Sequence, residues 1–480
     1  MSNDQKDVVV IGAGISGLMC AYRLKALGFD VALLEPSNRA GGVIQSESVS
    51  DYLIERGPNS TQGIVELLEL VEELDIEGEL IEGDPKAPAL IYYNKQLHPV
   101  PSGPLALIKS KLLSTGAKLR LLREPFVGRR VDEDEESVGA FVERRLGPQV
   151  AERLVAPFVS GVYAGDEKRL SVQAAFPALA ELERGHGSLL RGAVARARGA
   201  KAERAREGDQ TRPERPKRKR LCSFREGMAT LPRALAARIG EDLIFECLGI
   251  SISKYIGSPD TSALSVTFER GGYGERIACR HVVVAAPSRA ASGLVSSLSG
   301  ELAGLLSEIE YAPMAIAYLG YDTASIKHSL YGFGFLAVPA ERLSFLGCIF
   351  NSSLFGGRAP AGKTLLTAFA GGSRNSALAE VPDAELVSNI HGELQPILGI
   401  TGDPEIVGIT RWERAIPQYA IGHAERVKRI DELMDRMGAL TLAGNYLHGV
   451  SVGDCVKEAD RKAREIAGRL RGGAGRAQSV

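Results

Sequence analysis

The chain holds one tryptophan in 480 residues, and its six cysteines, at positions 20, 222, 247, 279, 348 and 455, include no CxxC pair. That scatter argues against a zinc site and against a disulfide framework, and it points to a reducing cytosol. No apolar run approaches the ~20 residues that a bilayer-crossing helix needs, so membrane contact, if made, is made from one side. Neither sign of charge dominates: 58 basic residues stand against 59 acidic ones, a net charge of -1, and no whole-molecule field recruits nucleic acid or membrane. A strand pattern begins by residue 7, leaving no room for a leader peptide. His98, His186, His281, His328, His391, His423 and His448 show no metal-ligand spacing, and none is assigned to catalysis. What remains is a hydrophobic content of 44%, enough for a large core divided over two or three domains.

The most informative stretch is VVVIGAGISGLMC, residues 8 to 20. An apolar strand meets Gly12, Gly14 and Gly17 and then turns helical through Leu18, Ala21 and Leu24. In a dinucleotide fingerprint the first glycine allows the tight turn, the second lets backbone approach a pyrophosphate, and the third packs helix on sheet. Ala13, Ile15 and Ser16 lie between them and share the assignment. Glu35 closes the second strand, VALLE, where its carboxylate would accept from ribose hydroxyls and repel the extra phosphate of NADP. The run EPSNRAGG then supplies Arg39, Gly41 and Gly42, with Val43 following, a cation and bare backbone for the flavin side of the pyrophosphate. The cofactor expected is therefore FAD, and no acid, base or nucleophile sits in the fingerprint itself.

Elsewhere, residues 64 to 76 have apolar residues at helical spacing. Residues 103 to 206 read as mostly helical, with GPLALIKSKLLSTGAKLRLL as one cationic amphipathic helix. Between 191 and 220 twelve Lys or Arg face four acidic residues, with almost nothing apolar after Val194. No core can form there, so a linker or exposed loop is expected. It is read as solvated, with contact to anionic lipid headgroups as the alternative and nucleic acid not expected. A helix over MATLPRALAARIG, strands at LIFECLGISIS, ALSVTFER and HVVVAAP, and further strands at IAYLGYD, FGFLAVP and TLLTAFAGG follow. The chain ends in strand, glycine-bearing turn and helix, so two half-motifs of one nucleotide domain lie at opposite ends of the sequence.

The fingerprint, the RxGG run and the C-terminal glycine turn together resemble the FAD-dependent amine oxidase and desaturase superfamily. ERGPNS (55 to 60), APFVSGVYAGD (156 to 166), SFREGMATLP (223 to 232), IPQYAIGH (416 to 423) and GNYLHGVSVGDC (444 to 455) narrow this to a resemblance to the oxygen-dependent protoporphyrinogen oxidase family of plant plastids and bacteria. The fold implied is α/β: a Rossmann-like FAD domain assembled from discontinuous segments (4–60, 221–290 and 428–475), an α+β substrate domain (61–102 and 291–427), and a mostly helical, membrane-facing insertion (103–206), with a basic loop at 207–220. The activity implied is six-electron oxidation of protoporphyrinogen IX, with oxygen as final acceptor and no metal. Coproporphyrinogen III is the alternative substrate, and another amine oxidase or desaturase activity the alternative enzyme. Residence at the cytoplasmic membrane face and a homodimer are compatible expectations.

The same resemblance implies site residues. Gly444, Val450, Ser451 and Val452 would meet the flavin ring through backbone at a helix start, which stabilises the charge of reduced flavin. Gly57, Pro58 and Asn59 of GPNS lie beside it, with Asn59 the polar group nearest the ring; the other reading of Asn59 is a turn cap on its own backbone. Trp412 matches a flavin-side tryptophan, although as a bare residue it reads as core, and Cys247 is assigned to the cofactor with them. Leu336, Ile349 and Phe369 would clamp the pyrrole rings, with Gly161 making a close backbone approach. One departure stands out: Ala89 occupies the place of an arginine expected to pair with a substrate propionate. Three outcomes follow: weaker binding, rescue by another cation such as Lys95, or a deliberate substitution.

Overall fold

The computed structural model describes residues 4–130, 134–206, 220–255 and 264–477. The run VVVI is buried on both sides, as an inner parallel strand must be. Asp4–Ile11 pairs in parallel with Val31–Leu34 on one side and with Tyr273–Val284 on the other, Val10 opposite Leu33 and Val9 opposite Val282. Leu243–Ile244 and Leu440–Leu442 extend the parallel part, and Leu264–Arg270 and Leu248–Lys254 continue the sheet antiparallel. Helices Ile15–Ala26, Thr230–Ile239 and Val452–Ala477 cover one face. Helices Ser288–Val295, Gly300–Ser307 and His423–Met437 cover the other. The two ends of the chain thus share one layer, and the Cys20 thiol meets the Ala459 carbonyl at 3.4 Å.

A second sheet runs in the order Glu405–Pro417, Tyr311–Asp322, Lys363–Gly371, Gly347–Phe350, Gly334–Ala337, Ala89–Tyr93, Gln96–Pro99. One face packs on helix Asp383–Leu398 through Leu386, Ile390 and Leu394. Its register is what matters for the site. Gly334 lies opposite both Ala89 and Ile349, Leu336 opposite Gly347, Gly347 opposite Phe369, Phe369 opposite Ile316, and Met314 opposite Trp412. Because side chains alternate with period two and paired residues share a face, Ala89, Leu336, Ile349, Phe369 and Trp412 all lie on the face turned away from that helix.

The segment read as one amphipathic helix is two. Pro104–Lys109 ends at Ser110, and Thr115–Leu122 begins at Ser114, whose side chain accepts from the Ala117 N–H. The break lets Leu112 and Leu113 turn inward, Leu112 beside Ile91 and Val338, Leu113 among Val138, Phe141 and Val159. The expected linker over 191–220 is also corrected in part: a helix spans Leu189–Arg206. Glu124 fixes its start, accepting from the N–H groups of Leu189 and Leu190 and the hydroxyl of Ser188. Arg145, fully buried, pairs with Glu124 and Glu183. Residues 207–219 of the basic loop lie outside the described residues. Among the described residues no helix is long and apolar enough to cross a membrane.

Candidate functional site

The glycine turn is as tight as its residue types demand. Gly12 has φ +102°, and a Cβ on Gly17 would stand 1.9 Å from the Gly12 carbonyl oxygen. Gly14 differs: no atom lies within 4 Å of where its Cβ would be, and no side chain caps the helix it begins. Backbone N–H groups there face open space, the arrangement that receives a phosphate. Ile15 and Ser16 are buried behind it, and the Ser16 side chain hydrogen-bonds Cys455 at the other end of the sequence.

Glu35 accepts from the Ala13 N–H at 2.7 Å and from the Ser37 N–H and hydroxyl at 3.0 and 2.7 Å. Cys247 joins this edge by backbone, its N–H donating to the Glu35 carbonyl at 3.1 Å. Its thiol is inert, burial pushing it up to about 11. Gly41 donates to the Ala13 carbonyl, and a Cβ on Gly42 would press the Gly14 Cα at 3.2 Å. The Arg39 guanidinium does not reach across the turn: it bonds the Gly42 carbonyl at 2.8 Å and lines a cleft of about 430 Å³ with Arg56 and Arg233. Open space at Gly14, an uncapped helix start and the anchored Glu35 carboxylate fit the diphosphate and ribose of FAD.

Val43, Gly57, Pro58 and Asn59 come next along this edge. A Cβ on Gly57 would fall 2.0 Å from the Val43 carbonyl oxygen, so only glycine lets the chain at 57 pass that carbonyl. Asn59 is buried, and its Oδ1 accepts from Asn351 Nδ2 at 2.8 Å; the bond from Asn59 Nδ2 to the Gly57 carbonyl is long, at 3.4 Å. The turn-cap reading of Asn59 is therefore the weaker contact. Trp412 is half-buried and donates from Nε1 to the Arg56 carbonyl at 2.6 Å, which ties it to the same segment.

At the far end of the chain, Gly444 has no room for a Cβ against the Tyr446 ring, and Gly449 has φ +122°. Ser451 then caps helix Val452–Ala477 reciprocally with Asp454: the Asp454 N–H donates to the Ser451 hydroxyl at 3.1 Å, and that hydroxyl donates to the Asp454 carboxylate at 2.6 Å. This is a capping box, and its S-x-x-D spacing was legible in the sequence. Val450 is half-buried and Val452 buried. His448 Nε2 lies 3.7 Å from Asp431 and 3.9 Å from Glu458.

Gly161, on helix Ala156–Tyr163, lies against the second sheet: a Cβ there would stand 2.6 Å from Leu336 Cδ2. Leu336, Ile349 and Phe369 are half-buried while their strand neighbours Phe335, Cys348 and Ala368 are buried. The structure therefore brings Gly161 and the three apolar residues to one wall. Ala89 is exposed at the edge of it. Lys95 sits in the turn at the other end of the strand Ala89–Tyr93, and at ~3.3 Å per residue it is too distant to replace a cation at position 89. Buried Thr367 Oγ1 and Asn351 Oδ1 have no hydrogen-bond partner among the described residues.

Sequence reasoning missed Glu55, Arg358 and Asn351. Glu55 is buried, accepts from the Ser46 hydroxyl at 2.6 Å and the Met228 N–H at 2.9 Å, and lies 3.8 Å from Arg358. Burial pushes its carboxyl up to about 7 and also lowers the pKa of Arg358: for both partners desolvation outweighs their attraction. Arg358 is held by Ser223 and the Phe224 carbonyl. Among the described residues no group of three His, Cys, Asp or Glu could hold a metal ion.

The family profile described as flavin containing amine oxidoreductase matches residues 15–467. The chain is 35% identical to protoporphyrinogen oxidase 1, chloroplastic, of Arabidopsis thaliana over 480 residues, 96% of this chain and 88% of that protein. It is 29% identical to coproporphyrinogen III oxidase of Bacillus subtilis (strain 168) over 474 residues, 95% of this chain and 97% of that one. Among solved structures, a chain from Exiguobacterium sp. 255-15 provisionally named a protoporphyrinogen oxidase superposes with TM-score 0.78 at 24% identity, over 97% of this chain and 99% of that chain.

Proposed function

This chain belongs to the flavin containing amine oxidoreductases and is an FAD-dependent oxidoreductase, and on that premise we propose that it oxidises protoporphyrinogen IX to protoporphyrin IX with oxygen as final acceptor. The observation that carries the substrate is the wall where Leu336, Ile349 and Phe369 share a sheet face with Trp412 and Leu336 packs against Gly161. None of these five residues is an acid or a base, and a macrocycle oxidised by hydride loss needs shape and dryness more than proton transfer. FAD, when bound, supplies the hydride acceptor, and three rounds remove six electrons with hydrogen peroxide as by-product. The protein's part is to hold and to shield. Glu35 and the helix start at Ile15 would hold the ADP end, and the positive end of the helix that starts at Val452 would face the ring end.

Coproporphyrinogen III remains the second reading because of the Bacillus subtilis relative. Purified protein with flavin absorbance that raises porphyrin fluorescence under air from protoporphyrinogen faster than from coproporphyrinogen bears the first reading out. Colourless protein, or the reverse preference, overturns it.

We propose also that the helical region rests on the cytoplasmic face of a membrane. The support is a set of exposed apolar side chains, Ile108 at 63%, Leu122 at 69% and Phe126 at 82% exposure, with Leu190 and Val194. The turn Glu124–Phe126 contacts both the helix Thr115–Leu122 and the helix Leu189–Arg206. Lys109, Lys111, Lys118, Arg120 and Arg123 accompany them, suited to anionic headgroups.

A further inference from the structure

We infer that Tyr419 is a positioning residue for the turn that faces the flavin, acting through its hydroxyl on the backbone of Asn445 and Gly449. The inference rests on the flavin reading above.

Tyr419 lies just beyond the strand Glu405–Pro417, outside the glycine-rich turn, yet it spans that turn with one oxygen. The hydroxyl donates to the Asn445 carbonyl at 2.5 Å and accepts from the Gly449 N–H at 2.8 Å. Asn445 and Gly449 are the two sides of the bend that delivers the chain to Ser451 and the helix Val452–Ala477. Gly449 has no slack of its own: its φ is +122°, and a Cβ would fall 2.6 Å from that of Asp454. Without the tyrosine oxygen the Gly449 N–H has no partner, and the path into the helix start has one fixed point fewer.

The oxygen is itself held in place by a ring that cannot swing. Tyr419 is buried, and its ring lies parallel to His423, centroids 4.3 Å apart at 9°. Burial holds the pKa of His423 down to about 4, so its ring serves as a neutral platform. The Tyr163 ring also packs against that of Tyr419, at 5.7 Å and 60°. The backbone is tied as well: the Ser171 N–H donates to the Tyr419 carbonyl at 2.8 Å, and Gln418 Nε2 donates to the Tyr163 carbonyl at 2.8 Å. Tyr163 closes the helix that carries Gly161, whose neighbour is Leu336 of the apolar wall. Tyr419 is thus where the helical region, the second sheet and the turn meet, and its hydroxyl sets the turn relative to the wall.

Tyr419→Phe keeps the ring and its stacking and removes only the oxygen. The expected result is FAD bound on the order of tenfold more weakly, an altered visible absorption band of the bound flavin, and a lower kcat with KM for the porphyrinogen unchanged. A purely structural tyrosine would lower thermal stability while leaving the flavin spectrum and the ratio of kcat to KM as they were, and that result overturns the proposal. A second measurement needs no variant: in the wild-type protein the Gly449 amide should exchange with solvent far more slowly than exposed turn amides such as that of Gly402, and equal rates would also overturn it. Wild-type protein that takes up no flavin defeats the functional reading as a whole, whereas flavin-loaded wild type matched in every readout by Tyr419→Phe defeats this inference alone.

Discussion

Asn351 donates from Nδ2 to Oδ1 of Asn59 across 2.8 Å, joining positions 292 residues apart. Asn351 follows directly on the strand Gly347–Phe350 that carries Ile349, and Asn59 belongs to the GPNS turn beside the RxGG loop. One amide–amide bond therefore ties the apolar wall to the GPNS turn and settles which way the Asn59 amide points.

Asn351→Leu leaves Asn59 Oδ1 buried with no donor. The expected loss is about 1–3 kcal/mol of stability, read by denaturant unfolding, with a changed flavin absorption spectrum. Wild-type stability and spectrum together would show that the pair orients nothing.

Gly161→Val places new carbon against Leu336, whose side-chain end is the part that yields. Overpacking of this kind costs about 1–3 kcal/mol, and here it should appear as a raised KM for the porphyrinogen, since Leu336 is pushed into the wall. Flavin content should stay at the wild-type level. A variant that loses flavin but keeps KM would place Gly161 elsewhere in the mechanism.

Ala89→Arg puts a guanidinium at the exposed edge of the same wall, with Gly334 beside it. Lower KM and tighter binding of carboxylate-bearing inhibitors are expected, because a charge-assisted hydrogen bond replaces water. If neither changes, position 89 does not meet a substrate carboxylate.

Glu55 gives the fold a pH dependence of definite sign. Burial raises its folded pKa from 4.5 to about 7, so its contribution to stability is fully present below about pH 4.5 and is lost as pH rises through 7. The span corresponds to roughly 3 kcal/mol. Arg358 and Arg233 face it, with Ser46 and the Met228 N–H as its hydrogen-bond donors. Glu55→Gln stays neutral and should flatten stability between pH 5 and 8; an unchanged slope would mean that Glu55 does not titrate there.

Phe126→Glu combined with Leu122→Glu removes two of the most exposed apolar side chains. Each carries about 1.5–3 kcal/mol of burial energy. Partition onto anionic vesicles should fall at least tenfold, with porphyrinogen turnover in detergent unchanged. Equal partition would move the membrane face elsewhere.

Much of the site was legible in the residues. Gly12 is required by its positive φ and Gly17 by close approach within a single turn, while Gly14 leaves the helix start open, and residue type alone reports that pattern. The S-x-x-D cap at Ser451 was equally legible and was passed over. Ser110 and Ser114 were the missed warning in the apparent long helix: a capping serine competes with helix continuation, and once Leu112 and Leu113 can bury, the break wins. Helix Leu189–Arg206 erred in the other direction, because a composition too poor in apolar residues for a core was rescued at its first turn by Glu124.

What the sequence determined by itself was the cofactor class and the nucleotide-binding layer, because turn geometry, strand periodicity and helix starts are encoded within a few neighbouring residues. The wall, the Asn59–Asn351 bond, the Glu55–Arg358 pair and the Tyr419 clamp were decided only by tertiary structure. Each joins segments far apart in the chain, and which side chains share a sheet face depends on register, which a shift of one residue would reverse.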